Sequence, residues 1–211
     1  MSRAEPRPAR FGAGISLALL LGLCVPAFVL HAEAPGDERA DQVKAAYLIN
    51  FLRYTDWPQG SFPTRDSPFH ILVVGRPELL DAVRTLAAAA GNIGGRAIAI
   101  ERMTLPDPGT GSGSGFRAQL AERLRSCHLL FIERHERERA GDLLSLVRDF
   151  PVLTVSDVDN FAQAGGMLEL LPRGANIVLA ANPGAIRRSD LMVSAKVLKL
   201  ARVVGDEEAP R

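Results

Sequence analysis

Short runs of consecutive apolar residues alternate with amphipathic stretches along the middle of the chain, and this alternation constrains the fold more than any other feature. Because the runs contain few polar residues, they are typical of strands that are covered on both faces. Strands are predicted at residues 69–75, 96–102, 127–133 and 152–156, and helices at residues 77–90, 116–126 and 136–149. Strands separated by helices form parallel sheets between helical layers. The sequence therefore predicts an α/β fold with a mainly parallel sheet.

Both ends of the predicted domain depart from this alternation. Residues 37–56 predict an opening helix, because apolar side chains recur there at helical spacing. Residues 167–171 and 177–180 predict two strands joined as a hairpin, which would add an antiparallel edge to the sheet. Residues 193–204 predict a closing helix with Ser194 as its N-cap.

The N-terminal segment differs in kind from the rest of the chain. Three arginines within the first ten residues precede an apolar run at residues 11–24, and an alanine-rich segment follows. This order is typical of a secretory signal peptide, with cleavage expected after Ala32. An uncleaved anchor is the alternative, because apolar residues continue to Leu30 and about 20 of them can span a bilayer. The predicted organisation is a signal peptide at residues 1–32, one α/β domain at residues 38–205 and a polar tail at residues 206–211.

The overall charge argues against polyanionic partners. The chain has 25 basic and 24 acidic side chains, which leaves a formal net charge of +1. No general excess of positive charge exists to attract a phosphate backbone or an anionic membrane surface. We therefore expect no nucleic-acid partner.

Cysteine usage agrees with export but provides no disulfide within the mature chain. Cys24 lies in the predicted signal peptide, so Cys127 would remain alone. We predict that Cys127 is buried as a small apolar side chain in its strand. A bridge between two chains is the alternative.

Familiar motifs for cofactors, metals and catalysis do not occur in this sequence. Gly111, Gly113 and Gly115 lack the spacing of a dinucleotide fingerprint. Arg139 stands where a zinc-binding helix that begins at His135 would need a second histidine. From the residues we expect no cofactor, no metal and no catalytic site.

One group of residues at the end of the opening helix is not obviously explained by packing in a core. Asn50 and Arg53 lie one helical turn apart, and Trp57, the only tryptophan, follows. An arginine beside an aromatic side chain is typical of protein interfaces. The alternative is that Trp57 packs in the core while Asn50 and Arg53 are merely solvated.

A second such group follows the predicted strand at residues 152–156. Ser156 and Asp157 come directly at its end, and Phe161 and the pair Gly165 and Gly166 come next. These residues are candidates for a binding loop. The alternative is structural, since Asp157 can cap a turn and adjacent glycines often only permit one.

Taken in order along the chain, several segments resemble the YfiR family. The opening-helix series Lys-Ala-Ala-Tyr-Leu-Ile-Asn-Phe-Leu-Arg-Tyr-Thr-Asp-Trp-Pro spans residues 44–58. Further matches are the run at residues 127–132, the segment at residues 151–157 with Phe161, Gly165 and Gly166, then Asn182, and finally Ser194, Lys196, Leu198, Leu200 and Ala201. Together they cover essentially the whole predicted mature chain.

The resemblance implies a Rossmann-like three-layer α/β/α sandwich without catalytic activity or cofactor. It implies a periplasmic regulator, exported by a cleaved signal peptide, that binds the periplasmic part of an inner-membrane diguanylate cyclase or another membrane signalling protein. Repression would lower cyclic di-GMP and so affect biofilm formation. The resemblance also implies a homodimer.

On this interpretation the two groups of residues described above bind the partner: Asn50, Arg53, Trp57, Ser156, Asp157, Phe161, Gly165 and Gly166. A periplasmic sensor of small ligands is the alternative, with its pocket at the carboxyl ends of the parallel strands, where α/β sheets usually bind ligands. A hydrolase is a third possibility, but the sequence offers no evident nucleophile and base for it.

Overall fold

A seven-stranded sheet organises the part of the chain that the computed structural model describes, which is residues 35–106, 114–173 and 176–205. The strands are β1 (Thr55–Asp56), β2 (Phe69–Val74), β3 (Ile98–Arg102), β4 (Leu129–Ile132), β5 (Leu153–Ser156), β6 (Leu168–Arg173), β7 (Asn176–Ala181), β8 (Met192–Val193) and β9 (Ala201–Val203). The helices are α1 (Pro35–Arg53), α2 (Pro77–Ala90), α3 (Ser114–Arg125), α4 (Arg137–Val147), α5 (Pro183–Arg188) and α6 (Ala195–Leu200), and a 3-10 turn at Arg134–Glu136 precedes α4.

Most neighbouring strands in the sheet run parallel. The strand order is β3-β2-β4-β5-β6-β7-β9, and the strands from β3 to β6 in that order are mutually parallel. Strand β7 pairs antiparallel with β6, and β9 pairs parallel with β7. Strands β1 and β8 form a separate two-stranded sheet, with Thr55 opposite Val193. The mainly parallel sheet and its antiparallel hairpin confirm the predicted fold class.

The two faces of the sheet are covered by different helices. One apolar cluster joins α1 and α2 to the sheet, with Leu48, Leu79 and Phe131 among its members. The other joins α3 and α4 to the opposite face and includes Leu124 and Leu130. Leu130 and Phe131 belong to different clusters because successive residues of a strand point to opposite faces. The result is a three-layer α/β/α sandwich, and the sheet is apolar on both sides, as its continuous apolar runs predict.

The central helices and strands are confirmed, apart from small shifts at their ends, but the predicted closing helix is wrong in its second half. The helix α6 stops at Leu200, and Ala201–Val203 forms β9. The amide of Val204 donates to the carbonyl of Ala181 at 2.8 Å, so the free edge of β7 supplies the backbone partners that favour a strand here. The opening helix likewise ends at Arg53, because the next residues pair with β8.

The predicted signal peptide at residues 1–32 and the predicted tail at residues 206–211 lie outside the described residues. Among the described residues, no helix combines the length and the apolar character that crossing a bilayer requires. Cys127 is buried, as predicted, and its Sγ donates to the carbonyl of Leu124 at 3.1 Å.

Candidate functional site

Charged side chains collect where strands β2, β4 and β5 end. Arg76 follows β2 by two residues, Glu133 and Arg134 follow β4, and Asp157 follows β5. The carboxyl ends of parallel strands meet at one edge of a sheet, so these side chains lie together. Helix α1 crosses the same edge and adds an acidic and a basic side chain. We call the whole group the carboxyl-edge cluster: Asp41, Lys44, Arg76, Glu133, Arg134 and Asp157.

Lys44 connects α1 to the end of β5. Its Nζ lies 2.9 Å from Oδ2 of Asp157 and 3.2 Å from Oδ1 of Asp41. Asp41 and Lys44 are three residues apart, which puts both on one face of the helix. The side chain of Lys44 is 6% exposed, so its ammonium group depends on these two carboxylates for the interactions that water would otherwise supply.

Arg76 connects α1 to the end of β4. Its Nε donates to Oε1 of Glu133 at 2.7 Å, and its Nη2 donates to Oδ2 of Asp41 at 2.9 Å. The backbone amide of Arg76 donates to the other carboxylate oxygen of Glu133, also at 2.7 Å. Gly75 permits this approach, because a Cβ there would lie 2.7 Å from Cβ of Glu133. A larger residue would separate the ends of β2 and β4.

Asp157 is held at both of its carboxylate oxygens. The backbone amide of Arg134 donates to its Oδ1 at 2.6 Å, and Nε of Arg134 donates to its Oδ2 at 3.0 Å, beside the contact from Lys44. The side chain of Asp157 is fully buried, while that of Arg134 is 47% exposed. A buried carboxylate is tolerated only with such partners, so Asp157 depends on both cations.

The cluster balances its own charge and occupies the crevice in which an α/β sheet usually binds a ligand. Its three carboxylates face three cations, and the buried oxygens are used for internal bonds. A cleft of about 710 Å³ remains on the outside, lined by Arg134, His135 and Asn160 among others. The sheet edge therefore holds α1 in place and leaves the outer cleft open.

The loop between β5 and β6 contains the second predicted group of site residues. Ser156 is buried; its Oγ donates to the carbonyl of Ile132 at 2.6 Å and accepts the amide of Val158 at 3.0 Å. Buried Glu169 accepts the amides of Asn160 and Ala162 at 2.8 and 3.1 Å. These bonds replace the hydrogen bonds that the loop backbone cannot make within a strand or helix.

Phe161, Gly165 and Gly166 give the same loop its tight shape. Phe161 is 1% exposed, and a Cβ on Gly166 would lie only 2.1 Å from its ring. Gly165 has a φ of +103°, a conformation that side chains with a Cβ rarely adopt. In this structure Phe161 lies in the core, so it supports the loop surface from below.

Asn50 and Arg53, from the first predicted group, are exposed on α1. Asn50 lines a groove of about 890 Å³ between α1 and α2, which we call the α1–α2 groove. Arg53 makes no ion pair or hydrogen bond with any side chain in the described part of the chain. Both side chains are accessible to a partner.

Trp57 lies at the opposite edge of the sheet, in an aromatic group at the amino ends of β2 and β4. Its ring centroid is 5.3 Å from that of Phe69 and 5.9 Å from that of His128, and Phe62 stacks on His128 at 4.3 Å. We call these residues, together with His70, the amino-edge cluster. Trp57 thus belongs largely to packing, and the structure separates it from the loop between β5 and β6.

His128 is neutral in this environment. Its Nδ1 accepts the amide of His70 at 3.0 Å, which leaves Nε2 to donate to the carbonyl of Ser61 at 3.1 Å. Burial lowers the pKa of His128 from 6.5 to about 4; the bond to Ser61 opposes this shift, and the charges of His70 and Arg96 add to it. The amino edge therefore carries no buried imidazolium at neutral pH.

Three buried polar atoms of this region have no hydrogen-bond partner among the described residues. They are Oγ1 of Thr55, Nε1 of Trp57 and Oγ of Ser61. Unpaired buried groups cost free energy, so this segment is less well satisfied than the carboxyl edge.

The sequence predictions found Asp157 but missed its partners. Asp41, Lys44, Arg76, Glu133 and Arg134 were not among the predicted site residues. A signal was present for three of them, because charged residues follow the ends of β2 and β4 within two positions, as Asp157 follows β5. Nothing in the sequence indicates that Lys44 of α1 reaches Asp157.

The chemical capability of the described residues is limited. Their His, Cys, Asp and Glu side chains form no group suited to hold a metal ion. Burial raises the pKa of the Cys127 thiol to about 12, although a backbone hydrogen bond opposes the shift. A buried thiol that stays protonated is a poor nucleophile.

The sequence pattern of the YfiR/HmsC-like family matches residues 41–202. The match spans most of the chain and includes both clusters and the lining of the α1–α2 groove from Asp41 onward. The chain therefore belongs to the YfiR/HmsC-like family, and the resemblance inferred from the sequence is confirmed.

Proposed function

Because the chain belongs to the YfiR/HmsC-like family, we propose that it is a non-enzymatic periplasmic regulator of an inner-membrane diguanylate cyclase. It binds the periplasmic part of that enzyme and holds cyclic di-GMP synthesis low. The observation that carries the proposal is the family match over residues 41–202. In this proposal residues 1–32 direct export and are then removed, and the mature chain forms a homodimer.

The geometry supports binding over catalysis. At the carboxyl edge, where α/β enzymes place their chemistry, Lys44 and Arg76 neutralise the buried carboxylates. Among the described residues of that crevice, the buried carboxylates of Asp157 and Glu133 accept hydrogen bonds at both oxygens, which leaves them poorly placed to act on a substrate. The protein acts through its surface.

Regulation across a membrane requires preference for one conformation of the partner. Moving an equilibrium from 1:99 to 99:1 takes a differential affinity of about 5.5 kcal/mol. An interface of about 1,600 Å² is an ordinary size for protein complexes and is sufficient for such a preference. The exposed side of α1, with Asn50 and Arg53, is the proposed recognition surface.

The other predicted binding residues have a supporting role in this proposal. Asp157 holds α1 through Lys44, while Ser156, Phe161, Gly165 and Gly166 shape the neighbouring loop. Trp57 supports the end of α1 through its contact with Phe69.

A sensor of small polar ligands is the second candidate function. The outer cleft of about 710 Å³ beside Arg134 and His135 favours it. A ligand of this cleft would raise the melting temperature of the purified protein, and the rise would grow with the logarithm of the ligand concentration above its Kd; a pure protein-binding module would not respond.

Genetic complementation tests the proposed function. Deleting the gene should raise cyclic di-GMP, and the full chain should restore the low level. A chain that lacks residues 1–32 and stays in the cytoplasm should fail to restore it. Equal restoration by both chains, or no rise on deletion, would contradict the proposal.

A further inference from the structure

The α1–α2 groove has an apolar floor that the rest of the described chain leaves uncovered. Val43, Ala46 and Tyr47 of α1 and Ala82 and Leu86 of α2 form this floor, and all five are only partly buried. The two alanines have small side chains, so a second backbone can come close at the centre of the groove. The larger side chains lie on either side. The lining on α1 extends from Glu38 to Asn50, which is about 18 Å at 1.5 Å per residue. This length accommodates about three turns of another helix.

The rim of the groove is mainly acidic. Glu38, Glu78 and Asp81 are exposed along it, and Arg39 is the exposed cation of the lining. Arg84 approaches Asp81 from outside at 3.8 Å, a loose contact between two exposed side chains that screens little of the charge. Asp41 contributes no free charge, because it is paired with Lys44 and Arg76.

We propose that the α1–α2 groove binds a basic amphipathic helix of the membrane partner. This inference rests on the proposed function and states which surface of the chain makes the contact. Apolar side chains of that helix pack on Val43, Tyr47 and Leu86, and its Lys or Arg side chains pair with Glu78 and Asp81. An amphipathic helix in an apolar groove is a recurring mode of recognition, read by anchors at i, i+3, i+4 and i+7. Complementary charge on the rim selects the partner and speeds its association.

Charge reversal on the rim tests this contact in the full chain. The variant Glu78→Lys/Asp81→Lys should lower the amount of diguanylate cyclase that co-purifies with the chain from membranes at least tenfold. The matched control Glu122→Lys/Asp142→Lys makes the same change in net charge on α3 and α4, where both side chains are exposed, and should co-purify within twofold of wild type. Should the first variant melt early, Glu78→Gln/Asp81→Asn replaces it, with an expected loss of about threefold.

Photo-crosslinking identifies the occupant. A crosslinking residue at Ala82, in the groove, should capture a partner segment that is basic and has helical apolar spacing; the same residue at Ala118, exposed on α3, should not. Capture of a second copy of this chain, capture of an acidic segment, or equal co-purification of the groove and control variants would overturn the proposal while leaving the regulatory function standing. If the wild-type chain captures and co-purifies no diguanylate cyclase, the proposed function fails and this inference fails with it.

Discussion

The two edges of the central sheet are held together in opposite ways. At the carboxyl edge, charged side chains on α1 and just beyond β2, β4 and β5 neutralise one another through bonds of 2.6–3.2 Å around buried carboxylates. At the amino edge, Trp57, Phe62, Phe69 and a neutral His128 pack as aromatic rings, and three buried polar atoms stay unpaired. The carboxyl edge therefore specifies where α1 lies. The amino edge contributes apolar packing, and it remains folded although some of its buried polar atoms lack hydrogen-bond partners. Removing a paired charge at the carboxyl edge should therefore destabilise the protein, whereas removing an unpaired polar atom at the amino edge should not.

Removal of the bridging cation at the carboxyl edge should have the largest effect. Lys44→Met leaves Asp157 and Asp41 each with one fewer cation, and we expect a loss of about 3 kcal/mol in the free energy of unfolding, measured by urea denaturation. The control Lys196→Met removes an exposed lysine and should change stability by less than about 0.5 kcal/mol. A loss below about 1 kcal/mol for Lys44→Met would mean that the cluster does not hold α1.

Overpacking of the neighbouring loop should have the next largest effect. Gly166→Ala places a Cβ 2.1 Å from the buried ring of Phe161, so the ring or the backbone must shift, at a cost of about 2 kcal/mol. Gly141→Ala provides the control, because nothing lies within 4 Å of its Cβ and it is inside α4; it should gain about 0.5–1 kcal/mol. Equal stability of the two variants in urea would show that the loop adapts freely.

Acid should weaken the amino edge through His128. The folded pKa of about 4 lies below the ordinary 6.5, so the unfolded chain binds more protons between these values. Stability is then full above about pH 6.5 and falls by about 1–2 kcal/mol as the pH approaches 4. His128→Asn should be less stable at pH 7 but should lose this part of the pH dependence, whereas His135→Asn, at an exposed histidine, should keep it. Identical pH dependence of wild type and His128→Asn would place the acid sensitivity elsewhere.

A pair of threonine substitutions gives the smallest but most discriminating effect. Oγ1 of Thr154 accepts the amide of Met167 at 3.0 Å, so Thr154→Val should cost about 1 kcal/mol. Oγ1 of Thr55 is buried without a partner, so Thr55→Val should be neutral or stabilise by up to about 1 kcal/mol. Both changes keep the side-chain shape and are followed by thermal or urea unfolding. If both cost the same, the unpaired hydroxyl at the amino edge has a partner in solution.

The sequence predicts elements that depend on local pattern and misses those that depend on distant partners. The run at residues 127–133 predicts β4 because both of its faces are buried, and that property is visible as uninterrupted apolar residues. Residues 201–203 follow a helical pattern, but they form β9 because the edge of β7 is free to pair with them. That pairing is a property of the assembled sheet, and the sequence of residues 193–204 carries no sign of it.

The candidate site was predictable to a similar extent. Asn50 and Arg53 stand out because no local partner explains them, and both are exposed in the structure. Asp157 stands out because it ends an apolar run, but its partner Lys44 comes from α1, far away in the chain. Pairing across such a distance depends on how α1 packs on the sheet, which periodicity alone does not reveal.

The carboxyl-edge cluster fixes α1, and we propose that the exposed side of α1 binds the membrane partner. The most direct test fills the α1–α2 groove without disturbing the cluster. Asn50→Trp puts a large side chain at an exposed position in the groove, and Gln119→Trp does the same at an exposed position on α3. The measurement is the amount of diguanylate cyclase that co-purifies from membranes with each variant, beside its melting temperature. We expect unchanged melting for both, with a loss of partner of at least tenfold for Asn50→Trp alone; co-purification of Asn50→Trp at the wild-type level would contradict the account.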